Sequence, residues 1–168
     1  MLATGSQRLA DDHVAADKLL KQIQAAINNG DVSSAYEKLD LFWAKLAVHI
    51  RAEHLHLFPA LKSSVGENVI TQLRADHEFF MRELANAVEA MRTLSNVADQ
   101  AVIDKGLGIV SERMVAVEQK LAAHNQREES GVYRLAETVL DADEQAELAK
   151  EINRELENRP PRFGANVW

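Results

Sequence analysis

His49-Ile50-Arg51-Ala52-Glu53-His54-Leu55-His56-Leu57-Phe58-Pro59-Ala60-Leu61 has a second copy in His124-Asn125-Gln126-Arg127-Glu128-Glu129-Ser130-Gly131-Val132-Tyr133-Arg134-Leu135-Ala136. In register, His49 falls on His124, Glu53 on Glu128, Leu57 on Val132 and Phe58 on Tyr133. The chain has six histidines, and two of them head these matching frames. In each copy His and Glu stand four residues apart, which on an α-helix sets an imidazole and a carboxylate on one face, a turn apart. Two such helices facing each other would gather two His and two Glu in a small interior volume, and that set calls for positive charge. A metal ion is the usual source.

The composition agrees with a helical setting. Of 168 residues 46% are hydrophobic, whereas Gly and Pro number only 7 and 3, so long helices go uninterrupted and one well-buried domain is expected. We expect an all-α, up-down-up-down four-helix bundle over residues 1–157, including a short extra C-terminal helix, and a tail over 158–168. The net charge of -7 comes without a dense Lys/Arg cluster, which argues against nucleic acid as a partner. The absence of cysteine excludes disulfides, thiolate metal sites and iron–sulfur clusters. A polar amino-terminal stretch and no run of membrane-spanning length lead to the expectation of a soluble, cytoplasmic protein with no membrane partner.

Hydrophobic periodicity divides the chain into helices. The first is expected over Ser6 to Ile27, capped by Ser6, with Leu9, His13, Ala16, Leu20, Ile23 and Ile27 on its inner stripe. Asn28-Asn29-Gly30 ends it, and Asp31 caps a second helix from Val32 to the Pro59 region, with His49, Glu53 and His56 in line. A third spans Glu67 to Leu94 and carries Val69, Leu73, His77 and Phe80 inward. Antiparallel neighbours meet at equal distances from their turn, and for His124 to lie beside His77 the fourth helix should begin near Asp104, after a long connection from Ser95. It runs to Leu140 with Met114, Leu121, His124, Glu128 and Leu135 inside, and an amphipathic helix follows over Asp143 to Leu156.

Inner-stripe histidines then read H, HxxxE, H, HxxxE, one element per helix, and Asp12-His13 and Asp76-His77 lead the two halves. Four helices delivering such ligands at one level is how bundles build a two-metal site. Four imidazoles and two carboxylates suit a pair of iron or manganese ions better than magnesium or calcium, and zinc is a further substitute. If both Glu bridge, each ion keeps an open position for a small ligand.

The pattern resembles the hemerythrin-like family, or HHE cation-binding domain. The likeness is carried by His13, the HIRAEHLHLFPAL segment, Ala75-Asp76-His77 and HNQREESGVY, over roughly residues 9 to 140. It implies a four-helix bundle with an oxo- or hydroxo-bridged non-heme di-iron centre. His13, His49, His77 and His124 would be terminal ligands, and Glu53 and Glu128 the bridges. The oxygen-carrying members have HxxxH in the third helix, where this chain has Met81 four residues after His77, and HxxxxD in the fourth, where it has HxxxE. That departure resembles the H-HxxxE-H-HxxxE subgroup and points to reaction with O2, H2O2 or NO, by peroxide decomposition or in nitric-oxide and oxidative stress. The alternatives are an oxygen- or iron-binding sensor or storage protein without turnover, and a metal-free helical adaptor.

Nearby residues carry alternatives. His56, seven after His49, stands either behind a ligand or in place of one, or is simply half-exposed; His54 should point to the surface. Glu129 is an alternative bridge. Tyr36 and Tyr133 fall off the ligand faces of ideal helices, although Gly131 would permit a distortion that swings Tyr133 inward. Met81, Phe80 and Leu84 read as core residues that wall the site.

Overall fold

The computed structural model describes residues 3–158, so the expected tail beyond Asn158 lies outside the described residues. The chain forms α1 (Gly5–Asn28), α2 (Val32–Ala52), a π-helical turn (Glu53–Leu57), α3 (Phe58–Ala60), α4 (Glu67–Leu94), α5 (Gln100–Ser130), α6 (Val132–Val139) and α7 (Ala142–Glu157). There is no strand among the described residues, and no helix there is long and apolar enough to cross a membrane. Helix α1 packs on α2, α2 on α4, α4 on α5, and α5 closes back on α1, which makes the expected antiparallel bundle. Helix α7 lies across α1, α2 and the π turn at one end.

Caps and turns explain most boundaries. Asp31 caps α2 by accepting from the Ser34 N–H at 3.0 Å, and Gly30 takes the left-handed φ of 70° that the tight turn before it needs. Thr4, rather than Ser6, caps α1 by accepting from the Gln7 N–H. Ser6 is instead buried, and its hydroxyl donates to the Tyr133 carbonyl, tying α1 to α6. Helix α7 starts one residue before its expected place because Asp141 and Glu144 form a reciprocal capping box.

The fourth helix departs from expectation at both ends. It starts at Gln100, capped by the Asp99 carboxylate, and not near Asp104. The level argument nevertheless holds, because a Cβ on Gly106 would sit 2.5 Å from the Leu94 side chain, so Gly106 is level with the end of α4. The turns before it are helix instead of a loop, mostly exposed but with Ile103 half-buried against the larger core. At the other end the helix does not run unbroken to Leu140: it stops at Gly131 (φ -109°, ψ -97°), where a Cβ would lie 2.6 Å from the Arg127 carbonyl oxygen. The inward face then passes to Val132, Tyr133 and Ala136, leaving Leu135 half-buried. Val69, expected inside, is exposed in the first turn of α4.

Helix α2 also departs from regularity. Pro59 lacks an N–H and its ring would press on the carbonyl four residues back, so the chain widens into a π turn in which Phe58 N–H donates to the Glu53 carbonyl. The wider turn re-aims every side chain after Glu53.

Two apolar clusters result. The larger fills the bundle with Leu20, Phe42, Phe80, Leu84, Met91 and Met114 among others. The smaller joins Leu9, Leu57, Phe58, Leu73, Tyr133 and Ile152 under α7. On α1, α4 and α5 the inward His or Glu falls between residues of one cluster and residues of the other, and His49 and Glu53 flank the changeover between Ile50 and Ala52. The polar centre is thus sealed above and below by close-packed hydrocarbon.

Two glycines on α5 and its end should respond oppositely to alanine. Gly131→Ala must displace the Arg127 carbonyl and should lower stability by about 1–3 kcal/mol, as overpacking does. Gly108→Ala, with nothing within 4 Å of the added methyl, should raise it by about 0.5–1 kcal/mol. Urea unfolding of the two variants measures both signs.

Candidate metal centre

Eight polar or charged side chains are buried among the described residues, and six are His13, His49, Glu53, His77, His124 and Glu128; the other two are Ser6 and Asp76. The six sequence-predicted residues come together at one level. His13, His49, Glu53 and Glu128 each place a ligand atom within 4.8 Å of the others, and His77, His124 and Glu128 form a second such group. Either group could hold a metal ion.

Within them the imidazoles are paired. His13 Nε2 lies 3.2 Å from His49 Nε2, and His77 Nε2 lies 3.1 Å from His124 Nε2. The carboxylates span the pairs: Glu53 Oε1 is 3.4 Å from His49 Nε2 while its Oε2 is 3.2 Å from His77 Nε2. Glu128 Oε2 is 3.3 Å from His13 Nε2, and its Oε1 is 2.9 Å from His124 Nε2.

Each Nδ1 faces outward to a partner of its own. His13 meets Glu129 at 2.8 Å, His49 meets Asp12 at 2.8 Å, His124 meets Asp76 at 3.1 Å, and His77 meets His54 Nε2 at 2.9 Å. A ring that donates Nδ1–H to an acceptor carries a lone pair on Nε2. Four such lone pairs and two carboxylates would then converge on one volume, which is stable only with cations or protons among them. The buried oxygens Glu53 Oε2 and Glu128 Oε1 receive no in-line hydrogen bond, and both face the His77/His124 pair. The donor set, mixed nitrogen and carboxylate oxygen with two unsatisfied oxygens, fits a pair of transition-metal ions.

Among the flanking residues one differs from expectation, and for two the structure decides between the alternatives. His54 was expected at the surface, but the π turn brings it, half-buried, onto His77. His56 does not stand behind the ligands; the same turn sends it to α7, where it meets Glu155 at 3.4 Å and Glu151 at 3.6 Å. Glu129 is no bridge, since its carboxylate binds the outer nitrogen of His13. Tyr36 packs half-buried against the larger core, away from the centre.

Tyr133 does swing inward, as the break at Gly131 allows. Its hydroxyl donates to Glu53 Oε1 at 2.6 Å and lies 3.1 Å from His13 Nε2. Its ring stacks on His13 at 5.4 Å, just as Phe58, its counterpart in the repeat, stacks on His77 at 6.2 Å. Burial, then the Glu53 and Glu128 charges, push the phenol well above its ordinary pKa, so it remains a donor. A cavity of about 20 Å³ opens beside His13 and His49, lined by Leu19, Phe42, Leu46 and Leu121 and also by Asp12, Lys45 and Asn125. Phe80 closes the other side, edge-on to His124 at 5.2 Å.

In the metal-free protein, protons take the place of cations, and pH should show it. Burial alone would lower His77, but the Glu128 and Glu53 carboxylates beside its inner nitrogen raise it to about 9, so its contribution is complete below pH 6.5 and lost as pH rises toward 9. Burial and Glu128 would raise Glu53, yet His49 and His77 hold it at about 2, so its contribution is present above pH 4.5 and lost as pH falls toward 2. Thermal unfolding of the metal-free protein should therefore show greatest stability between about pH 4.5 and 6.5. His77→Gln should flatten the alkaline limb.

No curated protein matches the chain. The sequence profile of the hemerythrin HHE cation binding domain matches residues 4–136, which covers every residue of the buried cluster and the four helices that carry it. With the bundle, the converging His and Glu side chains and this match together, the chain belongs to the hemerythrin HHE cation-binding domain family.

Proposed function

We propose that the protein is a non-heme di-iron protein that reacts with peroxide or nitric oxide, with His13, His49, His77 and His124 as terminal ligands and Glu53 and Glu128 as bridges. The observation that carries this reading is the span of the two carboxylates, each with one oxygen toward either imidazole pair. Manganese or zinc would be accepted by the same donors. Iron, when bound, supplies Lewis acidity and electron exchange with a small ligand.

The chain's own part is positioning and proton supply. A cavity of about 20 Å³, room for one water-sized molecule, lies beside His13 and His49 on the side of Asp12, lined by Asp12, Lys45 and Asn125 as well as by apolar residues. Tyr133, which does not line that cavity, holds a proton on Oη against Glu53 Oε1 on the inner side of His13. It is therefore placed to donate to a ligand carried on the His13/His49 side, a role that Phe58 cannot take on the other.

A second reading, a sensor of oxygen or iron, draws on α7. Arg51 and His56, flanking Glu53, both engage Glu155 of α7, so occupancy of the centre and docking of that helix are mechanically linked. Unchanged protease protection of α7 on iron loading would remove it.

Protein isolated from iron-replete cells should carry two irons per chain and the near-ultraviolet absorption of an oxo-bridged ferric pair; metal analysis that finds none refutes the proposal. Glu53→Ala and Glu128→Ala should lose metal. Tyr133→Phe should keep it but slow oxygen release from peroxide by about 100-fold, a typical loss for a proton donor. Loaded wild-type protein that releases no oxygen from peroxide and does not react with nitric oxide would leave the sensing reading.

A further inference from the structure

The repeat extends to the residues behind the imidazoles. Asp12 and Asp76 precede the solitary histidines of the two halves and bind the outer nitrogens of His49 and His124. The position after each spanning glutamate binds the outer nitrogen of the other solitary histidine: Glu129 binds His13, and His54 binds His77. The two halves match in place but not in charge.

On the His13/His49 side both outer partners are carboxylates, and among the described residues neither Asp12 nor Glu129 forms a direct salt bridge with Lys or Arg, Lys45 acting on Asp12 only from beyond salt-bridge distance. On the His77/His124 side one partner is an imidazole. The other, Asp76, already meets Lys120 Nζ at 3.0 Å and also Arg127. An imidazole donating to a carboxylate without a direct cationic partner is a stronger base at its inner nitrogen than one donating to a neutral ring or to a carboxylate shared with two cations.

We infer that the exchange of Glu129 for His54 at matching places makes the two cation positions unequal, with the His13/His49 position binding a divalent transition-metal ion the more tightly. Glu129 and His54 are positioning residues that act through His13 and His77. The inference rests on the two-cation reading above. It adds an order of filling: the first ion goes to His13/His49, and the His77/His124 position fills last and empties first.

Titration of metal-free protein with cobalt(II), followed by its visible bands and by calorimetry, tests this. Wild-type protein should bind two equivalents with dissociation constants about 10–100-fold apart, the usual reach of a residue behind a metal ligand. Glu129 is nearly half exposed, so Glu129→Gln should fold, and it should weaken the tighter step and bring the constants within about threefold. His54→Glu should tighten the weaker step, while His54→Gln, a neutral acceptor, should leave both within about threefold of wild type. Two equal wild-type steps, or a folded Glu129→Gln variant with both constants unchanged, would overturn the inference. Binding of one equivalent or none would refute instead the two-cation reading beneath it.

Discussion

Glu53 and Glu128 are both fully buried and stand within one cluster, and the rest of the molecule is arranged so that this is tolerable. A carboxylate taken from water into a protein interior loses several kcal/mol even after relaxation, and two near each other add repulsion. Four imidazoles supply the compensating dipoles and, with cations or protons, the compensating charge. Burial and the charge of Glu128 oppose ionisation of Glu53, and its histidine neighbours still hold it ionised. The apolar clusters on either side keep solvent from screening these interactions, so they act at full strength.

Two irregularities in otherwise regular helices complete the centre, and they fall at related places in the repeat. The π turn begins at Glu53, and the break at Gly131 follows Glu128 by three residues. Each lets the chain present an aromatic ring over an imidazole, Phe58 over His77 and Tyr133 over His13. The causes are different: a proline ring widens one helix, and a glycine, at a place where a side chain would strike the Arg127 carbonyl, lets the other break. The pseudo-repeat thus converges on one geometry while keeping distinct chemistry, a phenol and a carboxylate on one side, a phenyl ring and an imidazole on the other.

Helix α7 serves the π turn from outside. Gly5 of α1 allows close approach of Ile152, Arg8 donates to Asn153, and Arg51 and His56 reach Glu155. These contacts hold α7 on α1 and against the segment that carries Glu53 and His54, while Leu55 in the middle of the turn stays exposed.

The sequence by itself determined the bundle and the six central residues. Both follow from helical spacing: apolar residues every three or four positions make an inward stripe, and a His or Glu on that stripe is brought inward with it. The distance of each from its turn also placed them at one height, correctly even where the connection before α5 proved to be helix, since Gly106 and not Gln100 is level with Leu94. Only the tertiary structure decided what surrounds the six. The roles of His54, His56 and Tyr133 depend on rotation of the chain after Glu53 and after Gly131, and ideal periodicity assigns all three the wrong direction. The signals were present as Pro59 and Gly131, but the size of a local twist, and hence which side chain it delivers, depends on what packs against the segment, and for these turns that is α4, α7 and α1.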